Sequence, residues 1–168
     1  MMSEVINNLV QSKNDWLSSH VNVKFPTPES ILGRDLYFEK SKAYQLLPVD
    51  ELTASTQGVD EVYLVDFHRL TIMFALTSAS LWQDEQQSAH IVEFLTQIIL
   101  SDDFPLYVGF TNGEPVASAI THWQDGVLLV SDVALKDQQQ QVKLGFISQV
   151  ISESRKVFSD FELVVTEQ

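Results

Sequence analysis

The chain has 168 residues and no cysteine, and its 23 acidic residues outweigh 10 lysines and arginines to give a formal net charge of -13. This length suits one domain, the missing cysteines exclude disulfides and thiolate chemistry, and the acidic surplus argues against nucleic acid because phosphates would be repelled. No apolar run reaches the roughly 20 residues of a membrane-spanning helix, and Met1 to Glu4 do not resemble a secretory signal, so we expect a soluble, cytoplasmic protein that does not bind membranes.

The first predicted element is an amphipathic helix near the N-terminus. Apolar residues recur at spacings of three and four from Val5 to Leu17, a period typical of a helix with one buried face, and Ser3 is a suitable N-cap. Pro26 and Pro28 come after this helix, and together with the mixed, polar residues around them they predict a connector.

A boundary between two parts is predicted near residue 43. Residues 1–42 form an N-terminal helical segment and connector, and residues 43–168 form the main domain. Within that domain, Tyr44 to Leu47 is a candidate strand. The stretch 59–81 is apolar almost all round, which fits either a buried helix, the interpretation we favour, or a strand that leads into a helix.

The next elements carry clearer signals. An apolar face from Ile91 to Ile99 predicts a helix that ends before Asp102. Asn112-Gly113 and Asp125-Gly126 are turn pairs suited to positive φ, and they separate three strand-like runs. The runs extend from Leu106 to Phe110, from Pro115 to Trp123 and from Val127 to Leu135. Together they predict a three-stranded antiparallel meander whose third strand is buried on both faces.

A helix and one more strand come after the meander. Apolar residues at helical spacing from Val142 to Phe158 predict a helix lying on the sheet, and Phe161 to Thr166 is a β-prone run that should return parallel. The predicted fold class is therefore α/β, or α+β, with helices, an antiparallel meander, a helix and a parallel strand. Because bare apolar edges promote aggregation, we expect residues 1–42 or a second subunit to cover the last strand, and we favour a homodimer.

This order of elements, with the text YVGFTNGEPVASAITHWQDGVLLVSDVAL, resembles the GNAT superfamily of N-acetyltransferases over residues 44–168. The resemblance implies a GNAT-like mixed sheet and transfer of an acyl group from acyl-CoA to an amine, with the pantetheine arm between two splayed strands. Family members usually continue from the fourth strand into a valine, a spaced proline, an arginine or glutamine, and two glycines. Those glycines let backbone N–H groups at the start of the next helix approach the pyrophosphate.

The matching stretch here runs from Val133 to Lys143. Val133 and Gln138 agree with the family pattern, Leu135 stands at the proline position, and Gln141 and Lys143 stand at the two glycine positions. Side chains at both glycine positions would crowd the phosphates. We therefore predict that acetyl-CoA binds weakly or not at all.

If a cofactor site is retained, the resemblance implies where it lies. Residues 138–143, with Val142 among them, would contact the phosphates, and Val133 to Leu135 would line the pantetheine arm. Lys136 and Lys143 would supply positive charge in place of the lost backbone access.

Asp132 is the candidate catalytic residue. It stands on the strand where related enzymes place a group near the attacking amine, so the resemblance implies a general base. The structural alternative is a strand-end aspartate that accepts hydrogen bonds from its surroundings, and Ser131 is a second candidate. The family's tyrosine acid comes after its fifth strand, and the sequence up to Gln168 offers no counterpart, so we do not expect the complete family mechanism.

The histidines do not converge on a metal site. Asp66 with His68, and His90 with Glu93, each offer two ligands from one helix face, but no spacing nominates a third ligand. We predict no metal. The remaining histidines are His20 and His122. His122 and Trp123 fit either substrate contact or packing on a half-buried strand.

Two functions remain open at this point. The first is a divergent GNAT-like protein whose cofactor binding is weak or lost and which has a binding or regulatory role. The second is an acyl-CoA-dependent N-acetyltransferase acting on an unknown amine. A meander that belongs to an unrelated α+β fold is the third possibility.

Overall fold

A computed structural model describes residues 2–53, 57–158 and 160–168, and within them a six-stranded mixed sheet lies between helices. The strands are β1 (Tyr44–Pro48), β2 (Glu61–Leu64), β3 (Leu106–Thr111), β4 (Glu114–Gln124), β5 (Val127–Leu135) and β6 (Leu163–Glu167). The helices are α1 (Met2–Ser19), α2 (Pro28–Glu39), α3 (Val49–Leu52), α4 (His68–Ala79), α5 (Glu85–Leu95) and α6 (Gln140–Ser154). The sheet order is β1-β6-β5-β4-β3-β2, and only the β5–β6 pair is parallel.

The predicted meander, helix and parallel strand are confirmed. Asn112 and Gly113 have φ of 54° and 77°, and Asp125 and Gly126 have φ of 50° and 78°. These left-handed pairs close the two hairpins because their twist matches that of the flanking strands. All nine residues of β5 are buried, as its richness in valine and leucine predicts.

The region before the sheet departs from the sequence-based prediction. Helix α1 forms, but it begins at Met2, so Ser3 lies inside the helix and is not its N-cap. A second helix, α2, replaces part of the predicted connector. Pro28 occupies its first turn, where the missing proline N–H costs nothing, and the Thr27 hydroxyl accepts a hydrogen bond from Ser30 N at 3.2 Å. The two prolines therefore introduce a helix.

The preferred interpretation of residues 59–81 as one helix is wrong. The stretch contains the short strand β2, the extended residue Phe67 with φ of −152°, and then α4. Its apolar character has two sources, since β2 pairs with β3 at one edge of the sheet and α4 packs against the meander. The strand-then-helix alternative is the correct one.

Strand β6 does not form a bare edge. The candidate strand at Tyr44 to Leu47 is confirmed as β1, and it pairs antiparallel with β6 from Tyr44 opposite Glu167 to Pro48 opposite Leu163. The cover therefore comes from a strand beyond residue 42 of the same chain. The edge no longer supplies a reason for a homodimer, which stays a prediction, as does the boundary near residue 43.

Two apolar layers flank the sheet. One contains α6 with Phe146 and Val150, and the other contains α4 and α5 with Phe74 and Phe94. Helix α1 adds a smaller cluster around Leu9, at β5 and β6. Within the described ranges, no helix combines the length and the apolar character required to cross a bilayer.

Replacing Gly33 by alanine should destabilise the protein. An alanine in a helix normally gains about 1 kcal/mol over glycine. A Cβ at Gly33, however, would lie 1.9 Å from the His90 carbonyl oxygen of α5, so the two helices would have to separate. We expect the free energy of unfolding to fall by about 1–3 kcal/mol in urea titrations. Asp35→Ala, at an exposed position of the same helix, should change it by less than about 0.5 kcal/mol, and a stabilised G33A variant would contradict this packing.

Candidate functional site

A buried polar cluster lies on the α1 and α2 side of the sheet, beside the ends of β5 and β6. Its centre is Asp132 of β5, which is 7% exposed, and Lys13 of α1, which is 1% exposed. The other members are Tyr37 of α2, Lys42 of the following connector, Tyr44 of β1, Ser131 of β5 and Glu167 of β6. Elements from both ends of the chain therefore meet at one point.

A local irregularity of β5 turns Asp132 into this cluster. Asp132 has φ of 58°, in the left-handed region that aspartate tolerates better than most residues. The pairing of β4 with β5 shifts here, since Ser118 lies opposite Ala134 while Ile120 lies opposite Ser131. Two residues of β5 thus face one residue of β4, which is a β-bulge, a feature that re-aims side chains.

The Asp132 carboxylate is surrounded by hydrogen-bond donors. Lys13 Nζ donates to Oδ2 at 2.9 Å, and the Ser131 hydroxyl donates to the same oxygen at 2.7 Å. Tyr37 donates to Oδ1 at 2.6 Å, and Lys42 Nζ forms an ion pair with Oδ1. The Tyr37 hydroxyl also accepts a hydrogen bond from Lys13 at 2.6 Å. Both oxygens of the carboxylate are engaged by the chain itself.

These contacts determine the charge of Asp132. Burial on its own would raise the pKa of the carboxyl, but the nearby Lys13 and Lys42 cations and the Tyr37 hydrogen bond outweigh burial and hold the pKa well below its usual range. Burial, together with the same negative charge, raises the pKa of the Tyr37 hydroxyl well above its ordinary value. Asp132 is therefore ionised and Tyr37 is neutral near pH 7.

Glu167 fills the position where β5 and β6 separate. The parallel pairing runs from Val127 opposite Leu163 to Val130 opposite Thr166. Beyond that point, Glu167 Oε1 accepts hydrogen bonds from the backbone N–H groups of Asp132 and of Val133, the latter at 3.2 Å. Burial, followed by the proximity of Asp132, raises the pKa of the Glu167 carboxyl.

The start of α6, the predicted phosphate-binding segment, also has internal partners. Gln139 N donates to Asp137 Oδ1 at 3.0 Å, and Gln138 Nε2 donates to the Leu135 carbonyl at 2.6 Å. Lys143 N donates to the Gln139 carbonyl at 3.1 Å. Three of the backbone and side-chain donors of this segment are thus already used within the protein.

The remaining candidates divide between the two faces of the sheet. Val133 and Leu135 lie in the apolar layer of α6, with Val142 packed against it. Gln141 lies in the first turn of α6, and Lys136 is exposed before it. Ser131 lies with Asp132, and its hydroxyl is 3.0 Å from that of Tyr44. The side chains predicted for the cofactor and for catalysis are therefore adjacent in sequence but do not share one surface.

The sequence-based prediction missed the partners of Asp132. Lys13 carried a signal, because it occupies an apolar position of α1 between Leu9 and Leu17, each four residues away. A lysine at such a position is buried and needs a counter-charge. Tyr37, Lys42 and Glu167 carried no comparable signal.

The His122 side chain has structural contacts. His122 Nδ1 lies 2.7 Å from the Asp103 carbonyl, and its ring stacks on Phe104 with a centroid distance of 4.2 Å. Asp66 precedes α4 rather than lying on it, so the expected one-face pairing with His68 is not present. Among residues 2–53, 57–158 and 160–168, no three His, Asp or Glu side chains come together as a metal site.

Two solved structures share this architecture. A GCN5-related N-acetyltransferase from Kribbella flavida is 12% identical, with a TM-score of 0.53 over 77% of this chain and 48% of that one. The chain has a GNAT-like fold. A functionally unknown conserved protein from Staphylococcus epidermidis ATCC 12228 is 14% identical, with a TM-score of 0.54 over 88% of this chain and 58% of that one.

This GNAT-like chain spans about half the length of the first of these structures and less than two thirds of the second. Its sequence matches no protein-family model. No curated protein sequence matches it either. The likeness is therefore one of three-dimensional fold.

Replacing Asp132 by asparagine should strongly destabilise the GNAT-like domain. Asparagine tolerates the same left-handed backbone, so the change removes the charge and leaves Lys13 and Lys42 without their shared counter-ion. We expect a loss of about 3–5 kcal/mol in unfolding free energy, typical of breaking a buried ion pair from one side, measured by urea titration. The exposed Asp137→Asn is the control, and a loss below about 1 kcal/mol for D132N would contradict the role of this cluster.

The stability contribution of Glu167 should decrease as pH rises. Because its folded pKa is raised above the ordinary value of 4.5, the folded protein binds a proton more tightly than the unfolded chain does, and that gain is lost as pH rises from about 4.5 through the folded pKa. The unfolding free energy of Glu167→Gln, minus that of the wild type, should therefore increase over this window. Chemical denaturation from pH 4 to 8 measures the difference, and a flat or falling difference would argue against the raised pKa.

Proposed function

We propose that this GNAT-like protein is a binding module that does not use acyl-CoA. The proposal rests on the position of the Glu167 carboxylate. It lies where β5 and β6 separate and accepts hydrogen bonds from the backbone N–H groups of Asp132 and Val133. The family resemblance puts the pantetheine arm between these two strands. A ligand there would have to displace a carboxylate that belongs to the chain itself.

Displacing Glu167 would be unfavourable for two reasons. Its carboxylate would lose the hydrogen bonds that two backbone N–H groups donate to it. A neutral acceptor of the ligand would take the place of this charged one and would form weaker hydrogen bonds with the same N–H groups. The side chain is also partly buried, and Asp132 is close enough to raise its pKa. To leave, it would have to reach water without moving closer to the Asp132 carboxylate. The space where β5 and β6 separate is thus filled by the chain's own carboxylate, and this argues against entry of a cofactor there.

The start of α6 supports the same proposal. Asp137 places a negative charge on the Gln139 N–H, where a pyrophosphate would need a donor, and like charges repel at such short range. Gln141 and Lys143 retain side chains at the positions where the family has glycine. The residues present do not fit coenzyme A at either of its two contact regions, and we derive no acyl-transfer step for this chain.

Asp132 also fits a structural role better than a general base. A base is effective when its pKa lies near the working pH, whereas Lys13 and Lys42 hold the pKa of Asp132 far below it. Its oxygens already accept hydrogen bonds from Tyr37 and Ser131. This favours the structural alternative for Asp132 and removes the candidate base from the N-acetyltransferase hypothesis.

Acetyl-CoA should bind the unmodified protein with a dissociation constant no tighter than about 1 mM in isothermal titration calorimetry. The double variant Gln141→Gly and Lys143→Gly should bind it more tightly, because backbone access to the helix start is restored although a positive charge is lost. Gln141→Ala with Lys143→Ala is the matched control, since it removes the same charge and keeps both Cβ atoms. Micromolar affinity of the unmodified protein would overturn the proposal in favour of an N-acetyltransferase acting on an unknown amine.

A further inference from the structure

A polar cavity of about 140 Å³ opens above the Asp132 cluster, between α1, the end of α2 and β1. Its polar lining includes Lys13, Asn14, Lys40, Lys42 and Tyr44. A water molecule takes up about 30 Å³ of the liquid, so the cavity has room for a ligand of several non-hydrogen atoms. The cavity gathers three of the chain's 10 basic residues, although the formal net charge of the chain is -13.

The charges around this cavity do not balance. Lys13, Lys40 and Lys42 contribute three positive charges, and Asp132 and Glu167 are the two carboxylates whose charges act on Lys13 and Lys40. Asp132 already pairs with Lys13 and Lys42. The Glu167 carboxylate points to two backbone N–H groups. At least one positive charge therefore remains at the cavity even when both carboxylates are ionised.

Lys40 carries this excess charge. None of the described carboxylates forms an ion pair with it, and its Nζ lies 4.5 Å from the centroid of the Trp82 ring. Partial burial and the neighbouring Lys42 cation lower the pKa of Lys40. An anion between Lys40 and Lys42 would relieve this repulsion, and the Trp82 face would hold the Lys40 ammonium beside the cavity.

We propose that this cavity binds a small molecule through a phosphate or carboxylate group held by Lys40 and Lys42. Two neutral polar side chains, Asn14 and Tyr44, line the same cavity and would orient the rest of the ligand. Lys13 already donates hydrogen bonds to Asp132 and Tyr37, so it adds positive charge to the cavity without contacting the ligand directly. The inference rests on the proposed binding function and specifies the chemistry of its ligand.

The test uses the whole chain and three simple probes at constant ionic strength. Inorganic phosphate and acetate are titrated by calorimetry and by thermal unfolding, because a ligand that binds only the folded state raises the melting temperature. Acetamide is the uncharged counterpart of acetate. Lys40→Met removes the unpaired charge and keeps the length of the side chain, and Lys24→Met is the matched control because Lys24 also lies over an aromatic ring, that of Phe25, away from the cavity.

We expect phosphate, acetate or both to bind, acetamide not to bind, and K40M to weaken the binding about tenfold while K24M changes it less than about twofold. A stronger response to phosphate than to acetate would identify a phosphate ligand, and the reverse a carboxylate ligand. No response to either anion at about 10 mM, or equal effects of K40M and K24M, would overturn the inference. Unfolding curves of both variants verify that they fold, which the exposed position of Lys40 favours.

Failure of this inference is distinguishable from failure of the proposed function. If the protein instead used acyl-CoA, acetyl-CoA would bind at micromolar concentration, and K40M would not affect it because the predicted contacts lie on α6 and between β5 and β6. If the cavity is not an anion site, phosphate and acetate would fail while acetyl-CoA still does not bind. The two results depend on different side chains, Lys40 in one case and Gln141 with Lys143 in the other.

Discussion

One buried carboxylate connects the separate parts of this protein. Asp132 receives Lys13 from α1, Tyr37 from α2 and Lys42 from the connector that leads into β1. A carboxylate in such a place is unfavourable unless it is paired and hydrogen-bonded, and here these three partners come from the first 42 residues. The N-terminal helices are thus attached to the sheet through charge as well as through apolar packing.

The same network occupies the polar groups that the bulge in β5 presents. A bulge in a strand presents an aspartate and two backbone N–H groups at one point, which is a suitable arrangement for chemistry. The aspartate forms ion pairs with two lysines, and the N–H groups donate hydrogen bonds to Glu167. The lysine-lined cavity lies beside these occupied groups.

The sequence predicted the local elements well and the long-range contacts poorly. Asn112-Gly113 and Asp125-Gly126 fix the hairpins through backbone conformation, which depends on few residues, so the meander was predictable. Helix α2 was missed because Pro28 suits both a break and a first helical turn. Residues 59–81 were misjudged because apolar runs do not distinguish strand from helix. No local pattern indicates that Glu167 would meet Asp132.

Part of the site was nevertheless visible. Lys13 interrupts an apolar stripe between Leu9 and Leu17, and a charge in that position requires a buried partner. The partner is 119 residues away in the chain, and only the bulge and the left-handed φ of Asp132 direct it toward α1. Sequence periodicity identifies such a lysine but cannot choose among the many carboxylates of an acidic chain.

The position of β1 has a consequence for the assembly of the chain during synthesis. Strand β1 appears early, but its partner β6 ends at Glu167, so a nascent chain carries β1 without its neighbour until β6 has left the ribosome. Contacts between such distant residues require a large loop to close and slow folding. The hairpins of the meander can form first, because their strands are adjacent in sequence. In this order of events, β1 joins β6 after the hairpins have formed, and the same step places Glu167 beside the Asp132 amide. The cluster that holds the N-terminal helices is therefore completed only after β6 has been made.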